Sequence, residues 1–559
     1  MARIDFKGKS FVQNYHMQVK YHELIPVKSK SLTKKVSLHD NLIIHGDNLK
    51  ALKALLPMYA GKVKCIYIDP PYNTGNEKWI YNDNVNSPMM QDWLGKVVDK
   101  EDLTRHDKWL CMMTPRLKLL KELLAEDGAI FVSIDDNELH RLRNMMDMVF
   151  DEDNFVACIP IKANPRGRQS NDNIATIHEY LLAYARNINN LEWGGLPLAQ
   201  ENIDDFDQED PDGEKWRELG LRQRGAASLR EDRKDMWFPI FVDPSSGKVS
   251  LKRTKKYNRE VCPKKSDGRD GRWMWSPKKV SDEIQRVYSR WVTGKIERYD
   301  IFIKDYLNRK GEQRTAKPKS MWLDGEVNTE LGGKLLKIIL GKKTIEYPKP
   351  VGLIMRIMRI ATDSDSIILD SFAGSGTTAQ AVMELNSNDG GNRKFVLVEC
   401  EDYANDITAE RVRRVINGVP TAKDKRLKKG FGGSFSYFEL GKPIKMDEIL
   451  SGKNMPAYEE LARYVFYTAT GEEFEPTAIK PDKHFIGESK DYLVYLFYQP
   501  DLEYLKQTAL TMERAKKLGP FKKKRRLVFA PTKYLDQDHL DALRIDFAQL
   551  PFEIYKLAK

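Results

Sequence analysis

The chain has 559 residues, 41% of them hydrophobic, and a formal net charge of +11 with a pI near 9.0. A chain of that length is too long for a single hydrophobic core, so we expect several domains. The excess of basic over acidic residues favours a polyanionic partner. The five cysteines lack the spacing of a zinc site or a disulfide framework, and we see no apolar run typical of a membrane helix. We therefore expect a cytoplasmic protein rather than a disulfide scaffold or a membrane protein.

Residues 41–186 predict alternating strands and helices. Short apolar runs predict strands at NLIIHG, VKCIYID, AIFVSID, FVACIPI and HEYLLAYAR. Helical apolar spacing predicts a helix at DNLKALKALLPMY, a second at DKWLCMMTPRLKLLKELLAEDG that ends at Gly128, and a third at DNELHRLRNMMDMVF that is capped by Asp136 or Asn137. Such alternation is typical of a parallel sheet with helices on its faces.

The alternation stops at about residue 187 and returns at about residue 346. The segment 187–345 is charged and aromatic without a clean period, so we interpret it as an insertion into one α/β domain. Residues 346–430 complete that domain with PKPVGLIMRIMRIA, SIILDSFAGSGTTAQAVMEL and KFVLVECEDYANDITAERVRRVI. Residues 1–40 are an N-terminal extension, and residues 431–559 predict a smaller α+β domain. The expected fold class is α/β, with a doubly wound, mostly parallel, Rossmann-like sheet.

The strand VKCIYI is followed by an acid, two prolines and a tyrosine, Asp69 to Tyr72. Proline cannot continue a sheet ladder, and it forces the residue before it into an extended conformation. These four residues therefore form a stiff loop at the end of a strand, and a loop aimed by a rigid scaffold often carries function. An ordinary turn is the alternative interpretation.

A second strand, IILD, ends at Asp370 and leads through a glycine turn into a helix that begins near Thr377. Gly374 and Gly376 permit positive φ and a close approach of backbone to ligand. The spacing matches neither a P-loop nor the dinucleotide fingerprint. The next strand, FVLVE, ends at Glu399, whose carboxylate can accept two hydrogen bonds from a ribose diol. These features predict a nucleotide-type cofactor site, with a purely structural glycine turn as the alternative.

The motifs IDPPY and LDSFAGSGTT resemble the catalytic and cofactor motifs of amino-methylating DNA methyltransferases. The catalytic motif precedes the insertion and the cofactor motif follows it, an order that resembles the β class. Further stretches, spread over about residues 40–440, resemble the adenine-specific Mod subunits of Type III restriction-modification systems. They are IIHGDNLKALKAL, HEYLLAYAR, EDRKDMWFPIF, RWMWS, EYPKPVGLI and ECEDYANDITAERV.

The resemblance implies that S-adenosylmethionine donates a methyl group to the N6 amine of an adenine flipped out of double-stranded DNA, without a metal ion. The implied catalytic loop is Asp69, Pro70, Pro71 and Tyr72: the acid and the Pro70 carbonyl accept hydrogen bonds from the amine, and the ring stacks on the base. Aspartate rather than serine at position 69 favours adenine N6 over cytosine N4. The implied cofactor-binding residues are Asp47, Asp69, Lys349, Pro350, Asp370, Phe372, Gly374, Gly376, Thr377 and Glu399.

The resemblance also makes the insertion a target-recognition segment. Its cations and aromatic residues are suited to phosphates and base edges. The candidates are Arg222, Arg224, Arg233, Lys252, Arg253, Lys255, Lys256, Arg272, Trp273 and Trp275. Mod subunits pair, so we expect a homodimer that associates with the nucleoid through DNA. A restriction subunit (nuclease or translocase) is a further candidate partner, since the sequence has no Walker A motif.

Several alternatives to adenine methylation stay open. The same catalytic loop could accept hydrogen bonds from cytosine N4, from an RNA base or from a glutamine side chain, because each target is a flat amine or amide. A non-catalytic DNA-specificity subunit would keep the fold, although the intact Asp69, Tyr72 and glycine turn argue against it. The cytosine-C5 route is disfavoured because it needs a Pro–Cys nucleophile, and only the reversed pair Cys262–Pro263 occurs.

Overall fold

The computed structural model describes two compact units. The first comprises the described residues of Met1–Gly194 and Lys319–Lys559, and the second those of Gly195–Pro318. Within this described part, no helix is long and apolar enough to cross a membrane. The described residues are 4–74, 104–167, 173–265, 267–293, 297–309, 311–342, 344–444, 455–472, 474–521 and 523–550.

The first unit is built on a central sheet of nine described strands. The strands are β1 (His22–Pro26), β2 (Leu42–His45), β3 (Val63–Ile68), β4 (Leu124–Ile134), β5 (Phe155–Ile161), β6 (Glu179–Ala185), β7 (Ile367–Asp370), β8 (Lys394–Glu399) and β9 (Ser436–Pro443). Their order across the sheet is β1-β9-β2-β8-β7-β3-β4-β6-β5. The six strands from β9 to β4 are mutually parallel, whereas β1, β6 and β5 each pair antiparallel with a neighbour.

Helices cover this sheet. The longer ones around it are α1 (Asn48–Tyr59), α2 (Arg105–Leu123), α3 (Leu139–Phe150), α4 (Thr329–Leu340), α5 (Val351–Ala361), α6 (Thr377–Asp389) and α7 (Glu410–Asn417). Ile130, Val132 and Ile134 of β4 join an apolar cluster with α1, α2 and α3. The alternate strand residues Phe131 and Ile368 are equally buried, so both faces of the sheet are covered. The predicted doubly wound, mostly parallel α/β fold is confirmed.

Two predicted helix boundaries are wrong. Helix α2 ends at Leu123 rather than Gly128, because Leu124 already pairs with Val63 in the sheet. Helix α3 begins at Leu139, with Glu138 rather than Asp136 or Asn137 as the N-cap residue.

Both ends of the chain beyond the predicted α/β domain contribute structure to the first unit. Strand β1 lies within the extension 1–40, and β9 continues the central sheet to Pro443. A second sheet pairs β10 with β11 antiparallel, and β11, β12 and β13 in parallel. Its strands are β10 (Phe485–Glu488), β11 (Tyr492–Leu496), β12 (Arg525–Ala530) and β13 (Ile545–Gln549). The remaining helices are Lys9–Val12, Tyr15–Gln18, Lys425–Lys429, Tyr458–Thr470, Leu502–Gln507, Met512–Lys517 and Gln537–Ala542.

The second unit consists mainly of short antiparallel strands around a core that includes Trp273 and Trp275. Its first strand, Leu196–Pro197, pairs with its last, Thr315–Ala316. The other strands are Gln208–Glu209, Lys215–Gly220, Ile240–Val242, Val249–Ser250, Arg259–Val261, Val287–Val292, Arg298–Tyr306, Asn308–Arg309 and Glu312–Gln313, with helices Gln200–Asp204 and Pro277–Asp282.

Candidate active site

Acidic residues stand at the carboxyl ends of four neighbouring parallel strands. Asp47 follows β2, Glu399 ends β8, Asp370 ends β7 and Asp69 follows β3, and these strands are adjacent in that order. Ligands of open α/β sheets bind beyond this edge. The sheet therefore brings the two sequence motifs together, although about 300 residues separate them along the chain.

The loop after β3 is held by side chains on both sides. The Trp109 indole Nε1 donates a hydrogen bond to the Pro71 carbonyl at 2.7 Å, and Trp109 is fully buried in α2. The Tyr72 hydroxyl donates to Glu179 Oε2 at 3.1 Å, from the first residue of β6. These contacts fix the backbone and the tyrosine ring of the loop before any ligand arrives.

A lysine ammonium lies among the acids of this loop. Lys349 Nζ donates to Tyr72 Oη at 2.6 Å and to the Glu179 carboxylate oxygens at 2.7 and 2.8 Å. The same Nζ is 3.3 Å from Asp69 Oδ1, an oxygen that is itself buried. The Asp69 side chain nevertheless keeps 29% of its surface accessible. Since Oδ1 is buried, this accessible surface belongs to the rest of the Asp69 side chain, and a ligand can reach the residue there.

The charges in this cluster set its pKa values. Burial raises the pKa of Asp69, while the Lys349 ammonium pulls it down and the Glu179 carboxylate pushes it up. Burial lowers the pKa of Lys349, but the carboxylates of Asp69 and Glu179 outweigh it and the net shift is upward. Lys349 therefore stays cationic, and Asp69 becomes a stronger base than an exposed aspartate.

The second motif forms a turn with an open backbone face. Gly374 has φ +53°, its N–H donates to Glu399 Oε2 at 2.6 Å, and its carbonyl accepts from the Thr408 hydroxyl at 2.6 Å. A Cβ at Gly374 would meet no described atom closer than 3.9 Å. A Cβ at Gly376, where φ is +77°, would lie only 3.1 Å from the Thr408 carbonyl. Gly374 therefore faces free space, whereas Gly376 packs against the protein.

Two carboxyls behind this turn titrate near neutrality. Burial raises the pKa of Asp370 to about 7, against hydrogen bonds from the Thr378 hydroxyl and the Phe372 N–H. Burial likewise raises the pKa of Glu399 to about 7, against N–H donors from Glu401 and Gly374. The Gly374 N–H donates to Oε2 and the Glu401 N–H to Oε1, so the backbone fixes both oxygens of Glu399 at this edge.

The sequence profile of the DNA methylase family matches residues 63–410, which is more than half of the chain. The chain belongs to the DNA methylase family.

Curated relatives of this methylase agree with that assignment. The Type III restriction-modification enzyme EcoPI Mod subunit of Escherichia phage P1 is 35% identical, over 70% of this chain and 64% of its own length. The Type II methyltransferase M.KpnI of Klebsiella pneumoniae is 33% identical, over 68% and 89%. The StyLTI Mod subunit of Salmonella typhimurium is 32% identical, over 71% and 58%. The chain thus spans less than two thirds of the length of these two Mod subunits.

The predicted resemblance to Mod subunits is confirmed by these matches. A DNA methylase needs a methyl donor, so membership of the family also confirms the predicted S-adenosylmethionine cofactor. The site fits this cofactor: Gly374 offers a bare backbone face, and Glu399 offers acceptors for a ribose diol beside it. No cluster of three metal-ligating side chains occurs in the described ranges.

Several other predicted residues of the methylase have structural partners at this edge. Asp47 caps α1, accepting from Lys50 N–H at 3.0 Å, and lies 3.6 Å from Arg116. Pro350 is the N-cap residue of α5, and Phe372 is buried in the turn. The ammonium of Lys349, another predicted cofactor-binding residue, lies at the catalytic loop.

Three residues of this edge were not predicted. Glu179 and Trp109 hold the catalytic loop, as described above. Arg411 is fully buried in α7 and donates to the hydroxyls of Ser375 and Thr377 at 2.8 and 2.7 Å, and burial lowers its pKa to about 10. A glutamate before an apolar run and an arginine within a helix both resemble solvent-facing charges, so the sequence carried no clear signal for them.

The candidate DNA contacts of the second unit divide by exposure. The two tryptophans are wrong as surface contacts, because Trp273 is fully buried and donates to the Phe238 carbonyl, and Trp275 is 8% exposed in the same core. Arg222 and Arg272 are half-buried and bond to backbone carbonyls. The exposed cations are Arg224, Arg233, Lys252, Arg253, Lys255 and Lys256.

Proposed function

We propose that this protein is a site-specific DNA methyltransferase that methylates the N6 amine of an adenine flipped out of the duplex, as a Mod-like modification subunit. One observation carries the proposal: the partly accessible carboxylate side chain of Asp69 stands at the end of β3, beside the glycine turn at the end of β7. An acceptor for an amine and a cradle for a methyl donor thus lie at one edge of the sheet.

The chemistry assigned to the chain begins with hydrogen bonding. S-adenosylmethionine, when bound, supplies an electrophilic methyl group. The Asp69 carboxylate and the Pro70 carbonyl accept hydrogen bonds from the amine protons, which directs the nitrogen lone pair out of the base plane. Asp69, with its raised pKa, takes the proton that the amine releases on methylation. Lys349, held by Glu179, offsets the negative charge of Asp69 before the base arrives.

Adenine N6 is favoured over cytosine N4 by two observations. Position 69 is aspartate rather than serine. Two of the relatives at 32% and 35% identity are Mod subunits of Type III systems. The exposed cations of the second unit support duplex DNA, rather than a glutamine side chain, as the carrier of the target.

Expression in a methylation-free host, followed by single-molecule sequencing of its DNA, tests the function directly. The expected result is N6-methyladenine at one short motif, absent from cells that carry the empty vector. Methylated cytosine would support the N4 alternative and contradict the adenine assignment. Unmodified DNA, from cells that contain folded protein able to bind S-adenosylmethionine, would contradict the proposal as a whole.

Cofactor affinity is expected to rise about tenfold between pH 6 and pH 8 and to level off above pH 8. The reason is that the pKa of Glu399 is about 7, and only its ionised form presents acceptors to both ribose hydroxyls. Calorimetric titration with S-adenosylmethionine across this range gives the slope. In Glu399→Gln, affinity at pH 8 should fall and the slope should flatten, with any residual slope due to Asp370. A full slope in the variant would remove Glu399 from the site.

Replacing the exposed Lys255 with alanine is expected to weaken binding to all DNA sequences alike and to lower the slope of log affinity against log salt by about 0.9. The loss follows from one phosphate contact that no longer displaces a counterion. Fluorescence anisotropy at several salt concentrations measures the slope. Lys517→Ala, an exposed lysine of the first unit, is the matched control and should leave the slope unchanged.

We further propose that the methylase acts as a homodimer and partners a restriction subunit. The support is the similarity to Mod subunits, whose printed names place them in Type III restriction-modification enzymes. Light scattering at micromolar concentration should give about twice the 64.7 kDa chain mass. A fully active monomer would contradict the dimer.

A further inference from the structure

The residue after the catalytic tyrosine has an unusual backbone conformation. Asn73 has φ +56°, in the left-handed region that non-glycine residues seldom adopt, and it is only 4% exposed. Its side-chain amide donates hydrogen bonds to the Glu138 carboxylate and, at 3.3 Å, to the Arg105 carbonyl. A strained residue persists only where its surroundings hold it, so these contacts are what keep the loop in this conformation.

The carboxylate that accepts the hydrogen bond from Asn73 does not cap its own helix. Glu138 is the N-cap residue of α3, yet its side chain makes no capping hydrogen bond. It is fully buried, with Oε1 2.5 Å from His106 Nδ1 and Oε2 3.5 Å from Arg141 Nη1. Burying a carboxylate is costly unless it is paired and hydrogen-bonded. The partners of Glu138 are one neighbour on α3, one residue of α2 and the end of the catalytic loop.

We propose that Glu138 is a positioning residue of the methyl-transfer site. It holds Asn73 in the left-handed turn and thereby aims the Pro70 carbonyl and Asp69 at the target amine. This inference rests on the proposed function. Trp109 fixes the same loop two residues earlier, through the Pro71 carbonyl. Because both anchors lie at or against the first turns of α2, the loop has a rigid support on its outer side.

Loss of this anchor should affect the rate rather than cofactor binding. Without Glu138, Asn73 is free to relax to negative φ, which swings the backbone of Tyr72 and the acceptors before it. A misplacement of about 1 Å in such a site costs about 100-fold in rate. The glycine turn at β7 and Glu399 do not contact Glu138, so affinity for S-adenosylmethionine should stay within about twofold of wild type.

The test compares three substitutions at one position in the full-length protein. Glu138→Ala should lower kcat about 100-fold. Glu138→Asp should lower kcat nearly as much, because aspartate keeps the charge but is one methylene too short to reach Asn73. Glu138→Gln should restore kcat to within about fivefold, since its amide oxygen still accepts from Asn73. Asp147→Ala, which removes a partly buried carboxylate of the same helix bonded to Tyr184, is the control and should retain full kcat. Full activity in Glu138→Asp would overturn the inference.

A double-mutant cycle and hydrogen exchange separate positioning from general damage. Asn73→Ala added to Glu138→Ala should cost little more than either change alone, whereas additive losses would contradict the link between the two side chains. Hydrogen exchange of the peptide that contains Tyr72 to Thr74 should be faster in Glu138→Ala and unchanged in Asp147→Ala, without DNA or cofactor. Exchange needs no enzyme activity, so it tests the anchor even if wild-type protein fails to methylate DNA and the proposed function is wrong. Unchanged exchange in Glu138→Ala would overturn the inference.

Discussion

Replacing Asp69 with alanine is expected to reduce methyl transfer to DNA by at least about 100- to 1000-fold, while affinity for S-adenosylmethionine changes only a few-fold. The carboxylate supplies the acceptor for the amine protons and the base that removes one of them. No other described carboxylate of the cluster can replace it, because both oxygens of Glu179 are bonded to Lys349. Incorporation of labelled methyl groups into duplex DNA measures the rate, and calorimetry measures cofactor binding.

Two further variants make this test specific. Asp69→Asn keeps the shape of the side chain but loses the base, so it should be almost as inactive as alanine. Asp363→Ala removes an exposed acid just before β7, at the opposite edge of the sheet, and should behave like wild type. Near-wild-type methylation by Asp69→Ala would remove Asp69 from the chemistry.

Replacing Gly374 with alanine is expected to weaken S-adenosylmethionine binding by at least about tenfold, with little loss of fold. The new methyl group would project into the space that the turn leaves open, where its nearest described neighbour is 3.9 Å away. Alanine also strains the left-handed backbone by about 1–2 kcal/mol, a cost that is paid in both the free and the bound state. Calorimetry gives the affinity, and thermal unfolding gives the stability of the same samples.

The matched control for Gly374→Ala lies at the other end of the same helix. Gly390 has φ +72°, has no described atom near its Cβ position, and ends α6 away from the site. Gly390→Ala should therefore show a similar loss of stability and unchanged affinity. Gly376→Val is less informative, because its side chain would collide with Thr408 and disturb the fold itself. Equal affinities of Gly374→Ala and wild type would place the cofactor elsewhere.

The sequence predicted the sheet and both loops because their signals are local. Prolines after Asp69 end a strand wherever the strand lies, and the Gly374 turn needs positive φ regardless of its neighbours. The Lys349–Glu179 contact joins residues 170 positions apart, and no local pattern encodes such a partner. For the same reason helix α2 was predicted too long. Its apolar spacing continues past Leu123, and only the pairing of Leu124 with Val63 ends it.

Two missed features were visible in principle. The runs FVACIPI and HEYLLAYAR follow one another with no helix between them, and parallel neighbours need a long crossover, so their antiparallel pairing in β5 and β6 was inferable. In RWMWS the tryptophans alternate with Arg272 and Met274. That spacing puts Trp273 and Trp275 on one face of an extended segment, and both are in fact core residues.

The pairing of Leu196–Pro197 with Thr315–Ala316 has a consequence for how such enzymes diversify. The chain enters and leaves the second unit through two paired strands. The distance between these two connection points is therefore short, and it would be the same for any other segment inserted between them. Everything between those two strands can change in length and fold without stretching the sheet that carries Asp69 and Gly374. Genetic exchange at these two points would replace the whole second unit in one step and leave Asp69 and Gly374 unchanged. If the second unit reads the DNA, as we propose, such an exchange would change the methylated sequence by recombination rather than by gradual mutation of a binding surface.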